Sequence, residues 1–297
     1  MRTPAAEIQI DRELVARLIE AQHPDLAAPL TPVANGWDNA IFRLGERLCV
    51  RLPRRRVAVE LILKEHRFLP RLAAALPVDI PVPLRVGEPS ALFPWPWTIS
   101  PWLDGTVAAD VQPAGRTGIA AELAEFLACL HTRALADAPH NPVRGGPLRS
   151  RSVVTLQRLE QLDGATAERR DELRDLWLQL ANTPAWAGPP LWLHGDLHPA
   201  NFLLDPVKRL RAVLDFGDLT AGDPATDLAV AWLAFEPSAR STFHDRLNEL
   251  VGIDADSWQR ARGWALSLAT AFVQHSDDQP RMRAIGDHAL RQVLLDE

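Results

Sequence analysis

The chain has 297 residues, of which 47% are hydrophobic, and 32 Lys+Arg against 38 Asp+Glu give a formal net charge of −6. That length suggests about two domains or lobes, and the hydrophobic share is enough for an ordinary globular core. The negative balance gives a nucleic-acid role no electrostatic support, and no apolar run approaches the ~20 residues of a membrane span or reads as a signal sequence.

In chain order, IDRELVARLIEAQ has a helical pattern. TPVANGWDNAIFRLGERLCVRLP reads as two or three short strands, with turns at Asn35-Gly36 and Gly45-Glu46,. A helix is predicted over residues 55–76, where Val57, Leu61, Leu63, Phe68, Leu72 and Leu76 recur near helical spacing,. Residues 77–101 are too proline-rich to be helical throughout, and PLRVGEP and WPWTISPWL suit two more strands,. Asp104-Gly105 is the best boundary. It divides an N-terminal lobe (1–103, net +2) from a second lobe (104–297, net −8). An acidic second lobe suits either a solvated surface or a cationic ligand.

Beyond the boundary the pattern is mainly helical. TGIAAELAEFLACLHTRAL places Ile119, Leu123, Phe126, Leu127 and Leu130 on one face. Loop-rich sequence follows, then helices over 152–162 and 165–180. LWLHG, FLLD and RAVLDF read as strands, and helices beginning with DPATDLAVAWLAF continue from there. The expected fold class is α+β. Cys49 and Cys129 read as small buried apolar residues, and so few cysteines suit a reducing cytoplasm,.

The chemistry concentrates in LWLHGDLHPANFLLD and AVLDFGD, with fourteen residues from Asn201 to Asp215. Phosphoryl transfer needs a carboxylate to take the acceptor hydroxyl's proton and oxygen ligands for the magnesium that neutralises the phosphates. Asp196 suits the base; Asn201 and Asp215 suit Mg²⁺. H-x-D, an Asn five residues after the Asp, and a D-F-G reproduce the protein-kinase arrangement,.

HGDLHPANFLLD, VLDFGD and GDPATDLA together resemble the aminoglycoside phosphotransferase family, small-molecule kinases with a two-lobed protein-kinase-like fold. The resemblance spans nearly the whole chain and implies ATP or GTP as donor. It implies that His194 supports the catalytic loop, that His198 lines the substrate site or orders the loop, and that Asp223 and Asp227 anchor the loop. It implies a phosphate-covering loop at Gly36, Trp37, Asp38 and Asn39, and a nucleobase-binding hinge at Ser100, Trp102 and Leu103. One departure stands out. Arg51 occupies the strand position where a kinase has lysine, with Glu65, rather than Glu60, as its helix partner; Lys64 is expected to point elsewhere, and Arg54, Arg55 and Arg56 to face solvent or the helix entry.

The expected acceptor is a small hydroxylated molecule. By resemblance an antibiotic of aminoglycoside, macrolide or nucleoside type comes first; a choline-, homoserine- or sugar-like metabolite stays open. Trp, Leu and Ala residues in 177–192 and 258–273 suit an apolar pocket. Two other classes compete: a non-catalytic nucleotide-binding protein with the kinase fold, and a metallohydrolase built on HGDLH.

Overall fold

In the computed structural model, which describes residues 4–275 and 278–295, a five-stranded sheet is followed by a mainly helical body. Helix α1 (Arg12–Gln22) starts where the Asp11 carboxylate accepts the Leu14 N–H at 2.9 Å,. The region expected as two or three strands makes three: β1 (Leu30–Asn35), β2 (Asn39–Leu44) and β3 (Leu48–Pro53). With β4 (Arg85–Gly87) and β5 (Trp97–Pro101) they form an antiparallel sheet of order β1-β2-β3-β5-β4. Strand alternation sends Ala40, Phe42 and Leu44 inward,. There they join Val50, Leu52, Trp97 and Ile99 and the α1 residues Val15, Leu18 and Ile19 in a core of their own.

Helix α2 (Val59–Leu72) corrects one expectation. Its buried residues are Ile62, Glu65, Phe68 and Leu69, while Val57 and Leu63 are exposed. The inward face carries a carboxylate, so an apolar stripe does not mark it. Its last turns, with Phe68 and Leu69, belong to the core of the helical body.

That body opens with the two-residue β6 (Thr106–Val107), then α3 (Ala120–Leu130), which buries every residue predicted for its apolar face. Helix α4 (Ser152–Glu160) follows. The helix expected over 165–180 is broken into α5 (Gly164–Ala167) and α6 (Arg170–Leu180). Strands β7 (Leu191–Leu193), β8 (Phe202–Leu204) and β9 (Leu210–Val213) lie where predicted. β8 pairs with β9 and with β6; β7 pairs with a further short strand, β10 (Thr220–Gly222). DPATDLAVAWLAF forms two short helices, α7 (Ala225–Leu228) and α8 (Val230–Ala234). Then come α9 (Pro237–Val251), α10 (Ala255–Gln274) and α11 (Pro280–Gln292). α10 is buried on nearly every side from Ser257 to Val273, packed by α4, α6, α7 and α11. From Gly263 to Val273 α10 carries no charged residue, and a helix stretch that is apolar all round belongs at the centre of a bundle,. No described helix is long and apolar enough to cross a membrane.

Candidate active site

Three of the predicted residues, His194, Asp196 and Asn201, lie with Leu214 in one hydrogen-bonded circuit. The Asp196 N–H donates to His194 Nδ1 (3.2 Å), and His194 Nε2–H donates to the Leu214 carbonyl (2.9 Å). The Leu214 N–H donates to the Asn201 carbonyl (2.9 Å), and Asn201 Nδ2 donates to the Asp196 carbonyl (2.9 Å). The segment 194–201 is thereby tied to the residue before Asp215. The bond from Asp196 requires Nδ1 to accept, which fixes the His194 tautomer. Gly195 has φ +86, and a Cβ there would lie 2.3 Å from the Asp218 carbonyl oxygen. Only glycine lets the catalytic and D-F-G segments approach this closely.

The Asp196 carboxylate is 23% exposed and held from two sides, by a guanidinium and an imidazole. His198 Nε2 lies 3.2 Å from one oxygen, and Arg144 Nη2 lies 3.1 Å from the other. Burial alone raises its proton affinity, but the charge and hydrogen bond of His198, with Arg144 and His194, outweigh it and hold the carboxyl well below its ordinary value,. It is an ionised acceptor at neutral pH. His198 thus bonds within its own loop, and among the described residues its Nδ1 is buried without a partner.

Arg144 is a site residue that motif reading passes over. It donates through Nε to the Gly195 carbonyl at 2.6 Å and lies 3.8 Å from Asp218. Asp218, the residue after D-F-G, accepts from Asn141 Nδ2 at 2.7 Å. Burial, with the nearby charges of Asp196 and Asp215, pushes the Asp218 carboxyl up, against the pull of Arg144 and Asn141. Both Arg144 and Asn141 come from PHNPVRGG, which reads as plain loop. A Cβ on Gly222 would lie 2.2 Å from the Gly145 carbonyl, so this loop is pressed directly onto β10.

The two carboxylates expected as anchors separate. Asp227, fully buried, accepts the N–H groups of His194 and Gly195, each at 2.8 Å, and His131 Nε2 at 3.2 Å. Asp223 does not reach the loop among the described residues. It caps the turn into α7 through the Ala225 N–H (3.0 Å) and pairs with Arg260 of α10 (2.7 Å). The cation opposite it, thirty-seven residues on, takes it away from the catalytic loop.

Across the cleft, Arg51 Nη1 donates to Glu65 Oε2 at 2.7 Å, and Glu65 Oε1 accepts the Phe216 N–H at 3.1 Å. Strand β3, helix α2 and the D-F-G segment are joined by one carboxylate. Burial works against the Arg51 charge, but Glu65 and Asp215 hold its proton more firmly than usual. Lys64, expected to point elsewhere, reaches the Gly217 carbonyl at 3.4 Å. Lys64 thus points away from the Arg51–Glu65 pair, whereas Arg54 and Arg55 depart from expectation: they fold onto the β1–β2 turn, at the Gly36 carbonyl (2.8 Å) and the Asp38 carboxylate (2.6 Å). That turn closes by a bond from Gly36 N–H to the Asn39 carbonyl (2.9 Å), and Trp37 is half-buried within it.

At the predicted hinge, Ser100 is buried with its hydroxyl 3.2 Å from Cys49 Sγ. The Trp102 N–H is already given to the Arg47 carbonyl (2.7 Å), and its indole stacks under Arg43. Leu103 has no backbone hydrogen bond among the described residues, so of the three it has the groups to spare for a base.

Asp215 is exposed at φ +61, and the Asn201 amide nitrogen is spent on Asp196, which leaves the amide oxygen for another partner. Two hard oxygen donors on adjoining segments suit Mg²⁺ completed by phosphates and water. Among the described residues no three His, Cys, Asp or Glu cluster to hold a metal, so the metallohydrolase alternative finds no ligand set there.

The family model of the phosphotransferase enzyme family (APH) matches residues 29–264. Over 155 residues the chain is 31% identical to an aminoglycoside 3'-phosphotransferase of Streptomyces fradiae, covering 51% of this chain and 58% of that protein. The chain thus spans little more than half the length of this curated relative. Among solved structures, the GDP and kanamycin complex of APH(2")-IIia is similar at a TM-score of 0.70 and 19% identity, over 94% of this chain and 98% of that one. The apoenzyme of the macrolide 2'-phosphotransferase MphH from Brachybacterium faecium is similar at 0.64 and 22% identity, over 96% of this chain and 99% of that one. The fold shared with them is the two-lobed, protein-kinase-like α+β fold.

Proposed function

The chain belongs to the phosphotransferase enzyme family, and from that membership we propose that it moves the γ-phosphoryl group of ATP or GTP to a hydroxyl of a small molecule. The circuit joining Asp196, His194, Asn201 and the residue before Asp215 carries this reading. Residues 1–103 hold the nucleotide, with the base at the backbone of Leu103 and the phosphates between the Gly36–Asn39 turn and Arg51. A guanidinium meets phosphate oxygens in a bidentate way, which makes Arg51 a workable substitute for lysine. Asn201 and Asp215 would hold Mg²⁺, which when bound neutralises phosphate charge. Asp196 accepts the acceptor's hydroxyl proton as that oxygen bonds to the γ-phosphorus; the bond to the leaving nucleoside diphosphate breaks, and the diphosphate keeps the electron pair. Catalysis is then mostly positioning and charge neutralisation.

Antibiotics of the aminoglycoside and macrolide types head the acceptors to test, with resistance as the physiological outcome, and the cytoplasm is the proposed compartment. Both cysteines are free, in keeping with a reducing one. Thermal unfolding with Mg-ATP, with Mg-GTP and with each plus EDTA tests the donor site. A nucleotide at about 100 times its dissociation constant stabilises by roughly 2.7 kcal/mol, a shift of a few degrees for a chain this long. Protection lost with EDTA is expected; no protection at millimolar nucleotide overturns the reading. Asp196→Asn should then lower transfer by about 10²–10⁴-fold while nucleotide protection persists; full activity in that variant would refute the role of Asp196.

A further inference from the structure

Arg144, Arg151 and Arg158 recur every seven residues. Arg151 ends the helical turn Leu148–Arg151 that leads into α4, and Arg158 lies in the last turn of α4. Residues 151, 155 and 158 share one helix face. Thr155 fixes that face on α10 through a 2.8 Å bond between its hydroxyl and that of Ser267. Between them lies a cavity of about 270 Å³, with the three arginines on one side and Trp264, Leu268 and Phe272 of α10 on the other.

The cavity adjoins the reaction centre on two sides. Arg144 is bonded to one Asp196 oxygen. Phe272 meets the ring of His198, 5.3 Å between centroids and edge-on, and His198 is bonded to the other oxygen. A second cavity, between α8, α9 and α10, touches none of the predicted site residues.

The charge of the cavity wall is unbalanced. Arg144 is answered by Asp196 and Asp218. Arg151 and Arg158 have no carboxylate partner among the described residues, and Arg151 Nε is buried with no hydrogen bond. Among the described residues the Arg158 side chain reaches His275 Nε2, at 3.4 Å. Burial first, and then the charge of the neighbouring arginines, makes both guanidiniums hold their protons less firmly. Like charges gathered around a half-buried hollow repel one another, and an anion with oxygen acceptors relieves this.

We propose that this cavity is the acceptor pocket and that the acceptor carries an anionic oxygen group, held by Arg151 and Arg158, with its apolar part against Trp264 and Phe272. The inference rests on the phosphotransferase reading for the fate of the hydroxyl; it competes with the cationic antibiotic acceptors, and the kanamycin arm of the test decides between them. It also sets aside the cationic ligand that the −8 of the second lobe suggested: a net charge is a sum over the surface, and the field in a cleft is set by its own walls.

The test is calorimetric titration of the whole protein with inorganic phosphate, in saturating Mg-ADP so that the nucleotide site is filled, with kanamycin as the cationic counter-probe. Wild type, Arg151→Gln/Arg158→Gln and Arg151→Lys/Arg158→Lys are compared, the last keeping the charge if the first does not fold. Phosphate should bind the wild type more tightly than kanamycin does. Its affinity should fall at least about ten-fold in the Gln pair and less in the Lys pair, the scale of one lost charged hydrogen bond. No phosphate binding, equal phosphate binding in wild type and the Gln pair, or tighter binding of kanamycin overturns the proposal. Where the Gln pair does not fold, phosphate binding no weaker in the Lys pair overturns it as well. Mg-ADP titrated on its own reports the nucleotide site, so failure of the phosphotransferase reading is seen separately.

Discussion

Arg51, proposed to meet the nucleotide phosphates, also bears on stability. Its side chain is 12% exposed and that of Glu65 2%, so the pair is effectively buried. Removing one member of such a pair leaves a charge without compensation, at a cost of about 3–5 kcal/mol, whereas replacing both by apolar residues is often close to neutral. Arg51→Met should therefore lower the urea midpoint sharply. Arg51→Met with Glu65→Leu should recover much of the stability and none of the nucleotide affinity; equal loss in the single and double variants would disprove the coupling. Asp196, Asn201 and Asp215 were legible because H-x-D, the Asn five residues on and the D-F-G fourteen residues after that have set spacings, and Arg51 because it stands on a strand the alternation predicts. Arg144 and Asn141 were not, because the fold brings them to Asp196 and Asp218 from more than fifty residues away. The seven-residue recurrence of arginine went unread in the sequence, because its meaning needs α10 on the opposite wall.

Among elements, α7 matters more than its four residues suggest, because Asp227 within it receives two backbone N–H groups of the catalytic loop and a histidine. Hydrogen bonds to a charged acceptor contribute about 1.5–3 kcal/mol each. Asp227→Asn puts an amide donor against those donors, so a loss of about 2–3 kcal/mol is expected with a reduced kcat; a variant with wild-type stability and rate would show that the loop holds itself. The hairpin strands of the sheet could be read from alternation and their turn glycines. β6 and β10, of two and three residues, are too short to carry a pattern. The inward face of α2 was misread in part: Phe68 is buried as expected, but Glu65, a charge, is buried beside Ile62 and Leu69, and Leu63 is exposed.

For the whole molecule, acid sensitivity follows from histidines buried as neutral rings. His288 of α11 donates Nε2–H to the Phe235 carbonyl (3.2 Å), tying α11 to the end of α8. Burial, with Arg116, Arg291 and Arg240, lowers its pKa to about 4 despite that bond. His66, 2.5 Å from the Thr98 hydroxyl, is lowered to about 4 by burial and Arg51. The ordinary value is 6.5. Stability from a lowered histidine is fully present above that value and is lost as pH falls through the interval down to 4, because the unfolded chain takes up the proton first. His288 alone accounts for up to about 3 kcal/mol of this. His288→Gln should flatten stability between pH 6.5 and 4, read from urea midpoints; an unchanged slope would mean that other groups govern acid unfolding.

The chain has two lysines, Lys64 and Lys208. An amine acylates and forms Schiff bases; a guanidinium under the same conditions stays inert. A covalent ligand that captures the strand lysine of a kinase finds no nucleophile at Arg51. The amine near the cleft is instead on α2, at the D-F-G carbonyl. Reactive geography has moved from strand to helix, so position 51 separates this protein from lysine-bearing kinases by chemistry as well as by shape.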